Sequence, residues 1–227
     1  MDMDLYHPNS KVVFGWTAKA GCTVVVKMFL DHCGLLEEAL AYSSWVHDYR
    51  ETFLTRCPTD NTLVRIKFVR NPYSRAVSSY LAISSPNGRK QFSMFQSFDH
   101  FSFETFLQYL ASGNATWDIH FDKQFCQGES YDEIVRIEKM NEVMPHINQR
   151  YGLNLNWKFT SSHHIIKDPT VKTDYQGAND FSKNRDPVGS YKAFYNEENR
   201  KLVESIYHDD FIHYGYTYQD FLKDDNV

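Results

Sequence analysis

With 227 residues and 42 % apolar content, the chain is long enough to bury one substantial core. A net charge of −5 excludes the broadly basic surface of a general nucleic-acid binder, while leaving room for a local basic pocket. No apolar run approaches the ~20 residues of a membrane-spanning helix, and the four cysteines show neither metal-ligand spacing nor a Cys-x-x-Cys pair.

The opening Met1-Asp2-Met3-Asp4 is acidic and lacks the apolar region of a signal peptide. A reduced, cytoplasmic, single-domain protein spanning residues 1–227 is therefore the expectation. Val12, Val13 and Phe14 predict a short buried strand. A turn containing Lys19 and Gly21 follows, then an apolar segment that predicts a helix ending at Gly34. Strand, glycine turn and helix start together build an anion site. The first N–H groups of a helix have no partner within it, and its dipole favours negative charge there. Lys19 adds a full positive charge and Thr23 a hydroxyl, and Gly21 lets the backbone approach a phosphate. The spacing departs from the Walker pattern, because Lys19 precedes the second glycine and no Lys-Ser or Lys-Thr follows it.

Residues 35–54 predict one helix with Leu36, Leu40, Trp45 and Tyr49 inward, and His47 sits near its end. Residues 63–69 predict a second strand, and Asn71 with Pro72 predicts an N-cap and first helical residue immediately after it. Arg70 at that strand tip and Ser78 two turns into the helix make a second cationic junction. Ligands of open α/β sheets bind at the carboxyl ends of strands, so the two junctions suit two separated phosphates of one ligand. Residues 83–96 read as a polar loop or lid, and 102–112 as an amphipathic helix whose phenylalanines belong to the core. Residues 131–138 predict a third strand, and 139–151 a helix stopped by Gly152 and distorted by Pro145. Residues 154–177 are polar and irregular, and His163-His164 there lacks the partners of a zinc site. A basic, turn-rich stretch over 181–192 precedes a final helix that Asn196 caps and that runs through Tyr207.

The residues from Thr17 to Thr23 resemble the 5′-phosphosulfate loop of sulfotransferases, and those from Phe68 to Tyr80 their Arg-x-Pro-x-x-Arg-x-x-Ser motif for a 3′-phosphate. The pair is most similar to carbohydrate sulfotransferases of the Golgi type and their soluble bacterial relatives. Weaker likenesses extend the resemblance over most of the chain. They are the His120-x-x-x-Gln124 segment, the strand Tyr131 to Glu138, the basic loop before the last helix, and the ending Tyr207 to Tyr216. The resemblance implies an α/β fold, a P-loop-like three-layer sandwich with a central, mostly parallel sheet flanked by helices. It implies transfer of a sulfuryl group from 3′-phosphoadenosine-5′-phosphosulfate (PAPS) to an acceptor hydroxyl, carbohydrate above all, without a metal. Lys19, Ala20, Gly21, Cys22 and Thr23 would hold the phosphosulfate, and Arg70 and Ser78 the 3′-phosphate, with help from Arg185 and Lys192.

The acceptor must lose a proton, which calls for a base working near neutral pH. His47, lying between the two nucleotide motifs, is the first choice. His120 is the alternative base or acceptor-orienting group, and Asp48 and Glu51 stay open. Two other readings remain at this point: a P-loop-type small-molecule kinase, and a catalytically silent glycan-binding protein.

Overall fold

The computed structural model describes residues 4–54, 62–116, 118–159, 174–182 and 188–223. Its strands are β1 (Asp4–Leu5), β2 (Val12–Gly15), β3 (Val64–Val69) and β4 (Glu133–Arg136). Its α-helices are α1 (Cys22–His32), α2 (Leu36–Tyr42), α3 (Val46–Phe53), α4 (Pro72–Ser84), α5 (Pro86–Gln91), α6 (Phe103–Ala111), α7 (Met140–Tyr151), α8 (Glu197–Ile206), α9 (His208–Tyr214) and α10 (Tyr218–Lys223). The chain divides into two compact units, each built from two stretches: Met1–Arg70 with Cys126–Ser162, and Asn71–Phe125 with His163–Val227. Both units are discontinuous in sequence, so no linker composition marks the division.

The first unit carries the sheet, in the order β1-β2-β3-β4. β2, β3 and β4 are parallel, and β1 runs antiparallel to β2. Strands of a parallel sheet covered on both faces read as unbroken apolar runs rather than alternating ones. Accordingly Val12, Val13 and Phe14 are all fully buried. The Phe14 ring meets Phe29 of α1 edge-on at 5.4 Å and Phe68 of β3 at 5.0 Å. The expected α/β class with a mostly parallel sheet flanked by helices is what the chain forms. Gly15 ends β2 for a steric reason, since a Cβ there would lie 2.5 Å from the Tyr131 ring. That tyrosine donates to Asp4 at 2.7 Å, and Asp4 also pairs with Arg65. β1 itself went unpredicted, because two residues are too short for any periodicity to show.

The helix capped by Asn196 is not the last, since α9 and α10 follow it, and two further predicted segments change. The helix expected over 35–54 is broken into α2 and α3. Ser43 makes the break: its hydroxyl accepts the Trp45 N–H at 3.0 Å and donates to Asp48 at 2.7 Å, a local alternative to helical hydrogen bonding. Tyr49 is buried as expected, but the break leaves Leu40 and Trp45 exposed, and Ala39 and Val46 are buried instead.

The lid expected over 83–96 is mostly helical. α4 continues to Ser84, and α5 starts at once with Ser85 as N-cap and Pro86 as first residue, followed by a 3₁₀ turn over Ser93–Phe95. Gly88 permits this tight succession. A Cβ on it would sit 2.1 Å from the Ala82 carbonyl oxygen.

The second unit is organised around an aromatic core. Tyr80 of α4 contacts the rings of Phe101, Phe103, Phe106, Phe181 and Phe194 at centroid distances of 5.5 to 6.3 Å. Its hydroxyl lies 2.9 Å from the carbonyl oxygens of Phe101 and Asn179, donating to one, and accepts the Phe181 N–H at 3.3 Å. A buried tyrosine needs such partners to avoid the cost of an unpaired polar group. α6 is the predicted amphipathic helix, opened by a capping box between Ser102 and Thr105, and its Phe103, Phe106 and Leu107 are core residues. No helix among the described residues is long and apolar enough to cross a membrane.

Candidate active site

In the first unit, β2 and β3 are parallel neighbours with Gly15 opposite Lys67, so their carboxyl ends share one edge of the sheet. The loop over residues 16–21 and Arg70 both leave from that edge. Within the loop, Lys19 has φ +67° and Gly21 φ +69°, with buried Ala20 between them. A lysine in the left-handed region costs roughly 1–2 kcal/mol. Such strain, held by the surrounding structure, concentrates at functional sites. Left-handed residues in this setting turn successive N–H groups toward one side, the geometry of an anion nest.

Gly21 is also the N-cap of α1. It supplies no side chain to the helix N–H groups, and the first turn of α1 holds no carboxylate. The positive end of this 11-residue helix meets neither a capping side chain nor an acidic first-turn residue, the setting in which helix termini favour anions. Arg70 braces the same loop, donating from its guanidinium to the Lys19 carbonyl at 3.1 Å. Thr17, 1 % exposed, has a hydroxyl oxygen without a hydrogen-bond partner among the described residues. Buried hydroxyls are rarely left so, and this one belongs to the anion loop.

His47, the first-choice base, is 5 % exposed at the start of α3. Its ring is packed against Trp16 at 5.6 Å and Trp45 at 4.7 Å, and the Arg50 guanidinium covers the other part of that aromatic group, 4.3 Å from Trp16. Trp16 is the first residue of the loop, so His47 packs against the loop's start. Asp48 takes the Ser43 hydroxyl, and Glu51 pairs with Arg50.

In the second unit, Asn71 caps α4 by accepting the Tyr73 N–H at 3.1 Å, and Pro72 occupies the first helical position as expected. The first turn of α4 also holds no carboxylate. Ser78 lies half-buried on this helix. Arg75, from the same motif, is 1 % exposed and faces inward. Its guanidinium donates to the carbonyls of Asp122 at 2.6 Å and Ile119 at 3.1 Å and lies 5.9 Å from the Tyr207 ring. Arg75 is thus a brace for the segment 118–125. Ser79 adds a hydrogen bond to the His120 carbonyl.

That segment is held from its other end by Asp210 of α9, which accepts the backbone N–H groups of Gln124 and Phe125, each at 2.8 Å. Burial pushes the Asp210 carboxyl up, with Arg75 and the two N–H groups opposing. His120 sits in the middle of the clamped segment. Its Nδ1 lies 2.7 Å from Asp118 Oδ1, its ring meets Phe92 edge-on at 5.3 Å, and its side chain is 30 % exposed.

Of the remaining predicted ligands, Lys192 donates to the Leu222 carbonyl at 2.9 Å. Arg185 lies outside the described residues, as do His163 and His164. Cys22, Cys33 and Cys126 form no disulfide among the described residues, and burial pushes the Cys33 thiol up to about 11.

The structure thus brings Lys19, Ala20, Gly21, Cys22, Thr23 and Arg70 to one edge of the first unit, and it sets His120 and Ser78 in the second. Thr17, Asp118 and Asp210 fall within the motif likenesses, but the sequence alone assigned them no role of their own. Asp118 had a legible signal, the Asp-x-His spacing of an Asx-turn, in which Oδ1 accepts the His120 N–H at 2.8 Å. Asp210 falls on the Asp of the family-like ending Tyr207 to Tyr216, but its backbone partners, 86 and 85 positions away, could not be read from that likeness.

Comparison with curated proteins and with solved structures gives no match. The family model described as the sulfotransferase family matches residues 5–217, which takes in the loop over residues 16–21, both cationic junctions, the clamped histidine segment and α9. This chain belongs to the sulfotransferase family.

Proposed function

We propose that the protein transfers the sulfuryl group of PAPS to an acceptor hydroxyl, with carbohydrate as the favoured acceptor class. The observation that carries this reading is the loop over residues 16–21, with left-handed Lys19 and Gly21 leading into an α1 terminus that has no capping side chain or carboxylate. Sulfuryl transfer, like phosphoryl transfer, asks for in-line positioning and for stabilisation of negative charge on the leaving side. Charge develops on the bridging oxygen as the sulfur–oxygen bond breaks. Lys19 and the N–H groups from Gly21 to Thr23 are the donors assigned to it, with the Thr17 hydroxyl as a further one.

Arg70 and Ser78 are assigned to the 3′-phosphate by the motif they belong to. Arginine suits that task because its planar fork can donate twice to one phosphate. Arg185 and Lys192 keep the role of auxiliary ligands. Of the two imidazoles, His120 is favoured as the base by its exposure and its carboxylate partner. His47 is read as the packing that holds the loop.

Calorimetric titration with 3′-phosphoadenosine-5′-phosphate tests the donor site, with ATP and magnesium in parallel. Binding of the bisphosphate without metal, weakened at least tenfold in both Lys19→Ala and Arg70→Ala, is the expected result. Binding of ATP with magnesium alone would move the assignment to a kinase. A glycan-binding protein without donor chemistry would bind neither nucleotide.

A further inference from the structure

We propose that Asp118 is a positioning residue that fixes the tautomer and orientation of His120 for proton abstraction from the acceptor. The inference rests on the sulfuryl-transfer reading and adds to it the pairing that makes one particular imidazole a base.

Three observations within the second unit carry it. First, one oxygen of Asp118 binds both the backbone N–H of His120 at 2.8 Å and its ring Nδ1 at 2.7 Å. A carboxylate can only accept, so Nδ1 carries the proton and the lone pair lies on Nε2. Second, the segment bearing the pair is clamped to an extent that an ordinary surface loop is not. Arg75 binds the carbonyls of Ile119 and Asp122, Ser79 that of His120, Tyr207 that of Phe121 at 2.8 Å, and Asp210 the N–H groups of Gln124 and Phe125. Third, Phe92 closes on the imidazole edge-on while the side chain stays 30 % exposed. The ring is therefore fixed without being sealed off. A base held in one orientation by a second group is how acid–base catalysts keep their reactive nitrogen aimed.

The step balances as follows. The acceptor O–H gives its proton to Nε2 of His120, and its oxygen forms the new bond to sulfur. The bond between sulfur and the bridging oxygen of PAPS breaks, and its electron pair leaves with the adenosine bisphosphate. The imidazolium that results shares a hydrogen bond with the Asp118 carboxylate, which offsets its charge. Among the described residues, the other charged or titratable groups packed on the segment include Arg75 from α4, Tyr207, and Asp209, Asp210, His213 and Tyr214 from α9, with Asp122 and Lys123 within it.

The test uses the full chain and two variants. Asp118→Asn keeps an oxygen for the backbone turn and removes the charge, whereas Asp118→Ala removes both. Long-range ¹⁵N spectra of the imidazole report the tautomer without any substrate. Transfer from PAPS is measured with 4-nitrophenyl β-D-galactopyranoside as probe acceptor, and as release of sulfate to water where the glycoside is not sulfated. Bisphosphate affinity is followed by calorimetry.

The expected result is a pure Nδ1–H tautomer in the wild type and mixed tautomers in Asp118→Ala. kcat should fall at least tenfold in Asp118→Asn and further in Asp118→Ala, with bisphosphate affinity unchanged within twofold. A wild-type rate in Asp118→Ala, or a wild-type tautomer in it, overturns the proposal while leaving the donor reading standing. A wild-type chain that binds no bisphosphate overturns the donor reading and this proposal together.

Discussion

Single side chains in this protein carry more than their sequence neighbourhood announces. The Thr17 hydroxyl is buried without a hydrogen-bond partner among the described residues. Leaving such a group unpaired costs about 1–3 kcal/mol, a cost a bound phosphate oxygen can relieve. Thr17→Val is nearly isosteric and should leave the ligand-free protein as stable as the wild type, or more stable by ~1 kcal/mol in urea melts. Its affinity for the adenosine bisphosphate should fall roughly five- to tenfold. A variant that is less stable and binds equally well would falsify the role given to the hydroxyl.

Asp210 works the opposite way, as a buried acceptor serving two backbone donors. Asp210→Ala strands both N–H groups and should cost on the order of 2–4 kcal/mol, with Asp210→Asn milder because one oxygen remains. The pH dependence has a definite sign. Burial raises the folded carboxyl above its ordinary 3.8, so the ionised form is the less favourable one in the native state. Its contribution to stability is fully present below 3.8 and is lost as pH rises through the folded value. Urea melts across that window should therefore show the wild type losing ground to Asp210→Asn as pH rises, and then holding a constant difference.

At the scale of elements, the sequence was most legible where a local rule and the tertiary environment agree. The cap at Asn71 and the first-position Pro72 mark the start of α4, and the Ser102–Thr105 box marks α6. The buried run of β2 and the glycine turn after it marked the strand, loop and helix start over residues 12–22 directly. Legibility failed where one side chain outvoted a periodic pattern, as Ser43 does between α2 and α3. It failed again where glycine and proline, read as loop formers, serve as helix-packing and helix-starting residues, as Gly88 and Pro86 do. Gly88→Ala places a methyl group against the Ala82 carbonyl and should cost more than 2 kcal/mol in thermal or urea unfolding. Ser85→Ala, which removes the hydroxyl accepting the Gly88 N–H at 2.9 Å, should cost only about 1 kcal/mol. An equal loss in the two variants would mean that capping, not close approach, selects the glycine. His120 was found by its motif likeness, while its carboxylate partner needed the folded segment to show that both contacts fall on one oxygen.

For the whole molecule, the net charge of −5 means that the proposed anionic donor would be captured against the overall field. On that proposal the attraction is local, from Lys19, Arg70 and the α1 terminus. Exposed parts of such a site are screened over a Debye length of about 8–10 Å near physiological salt. Bisphosphate affinity measured between 50 and 500 mM salt should therefore decline steadily, and a flat profile would argue for a site dominated by adenine packing. Saturating bisphosphate should also raise the unfolding free energy by about 2.7 kcal/mol at a hundred times its dissociation constant, as mass action requires.

The discontinuous build of the first unit has a consequence for biosynthesis. β3 pairs in parallel with β4, and the Asp132 carboxylate that accepts the Arg65 N–H at 2.8 Å is 67 positions downstream. A ribosome releasing the chain from its N-terminus exposes β2 and β3 first, then the whole of Asn71–Phe125, and only afterwards the strand that covers the open edge of β3. Closing so long a loop is entropically slow, and an apolar strand edge waiting for its partner is open to wrong pairing. Nascent chains arrested before Glu133 should accordingly engage chaperones or aggregate, while those extended past Arg136 should escape both.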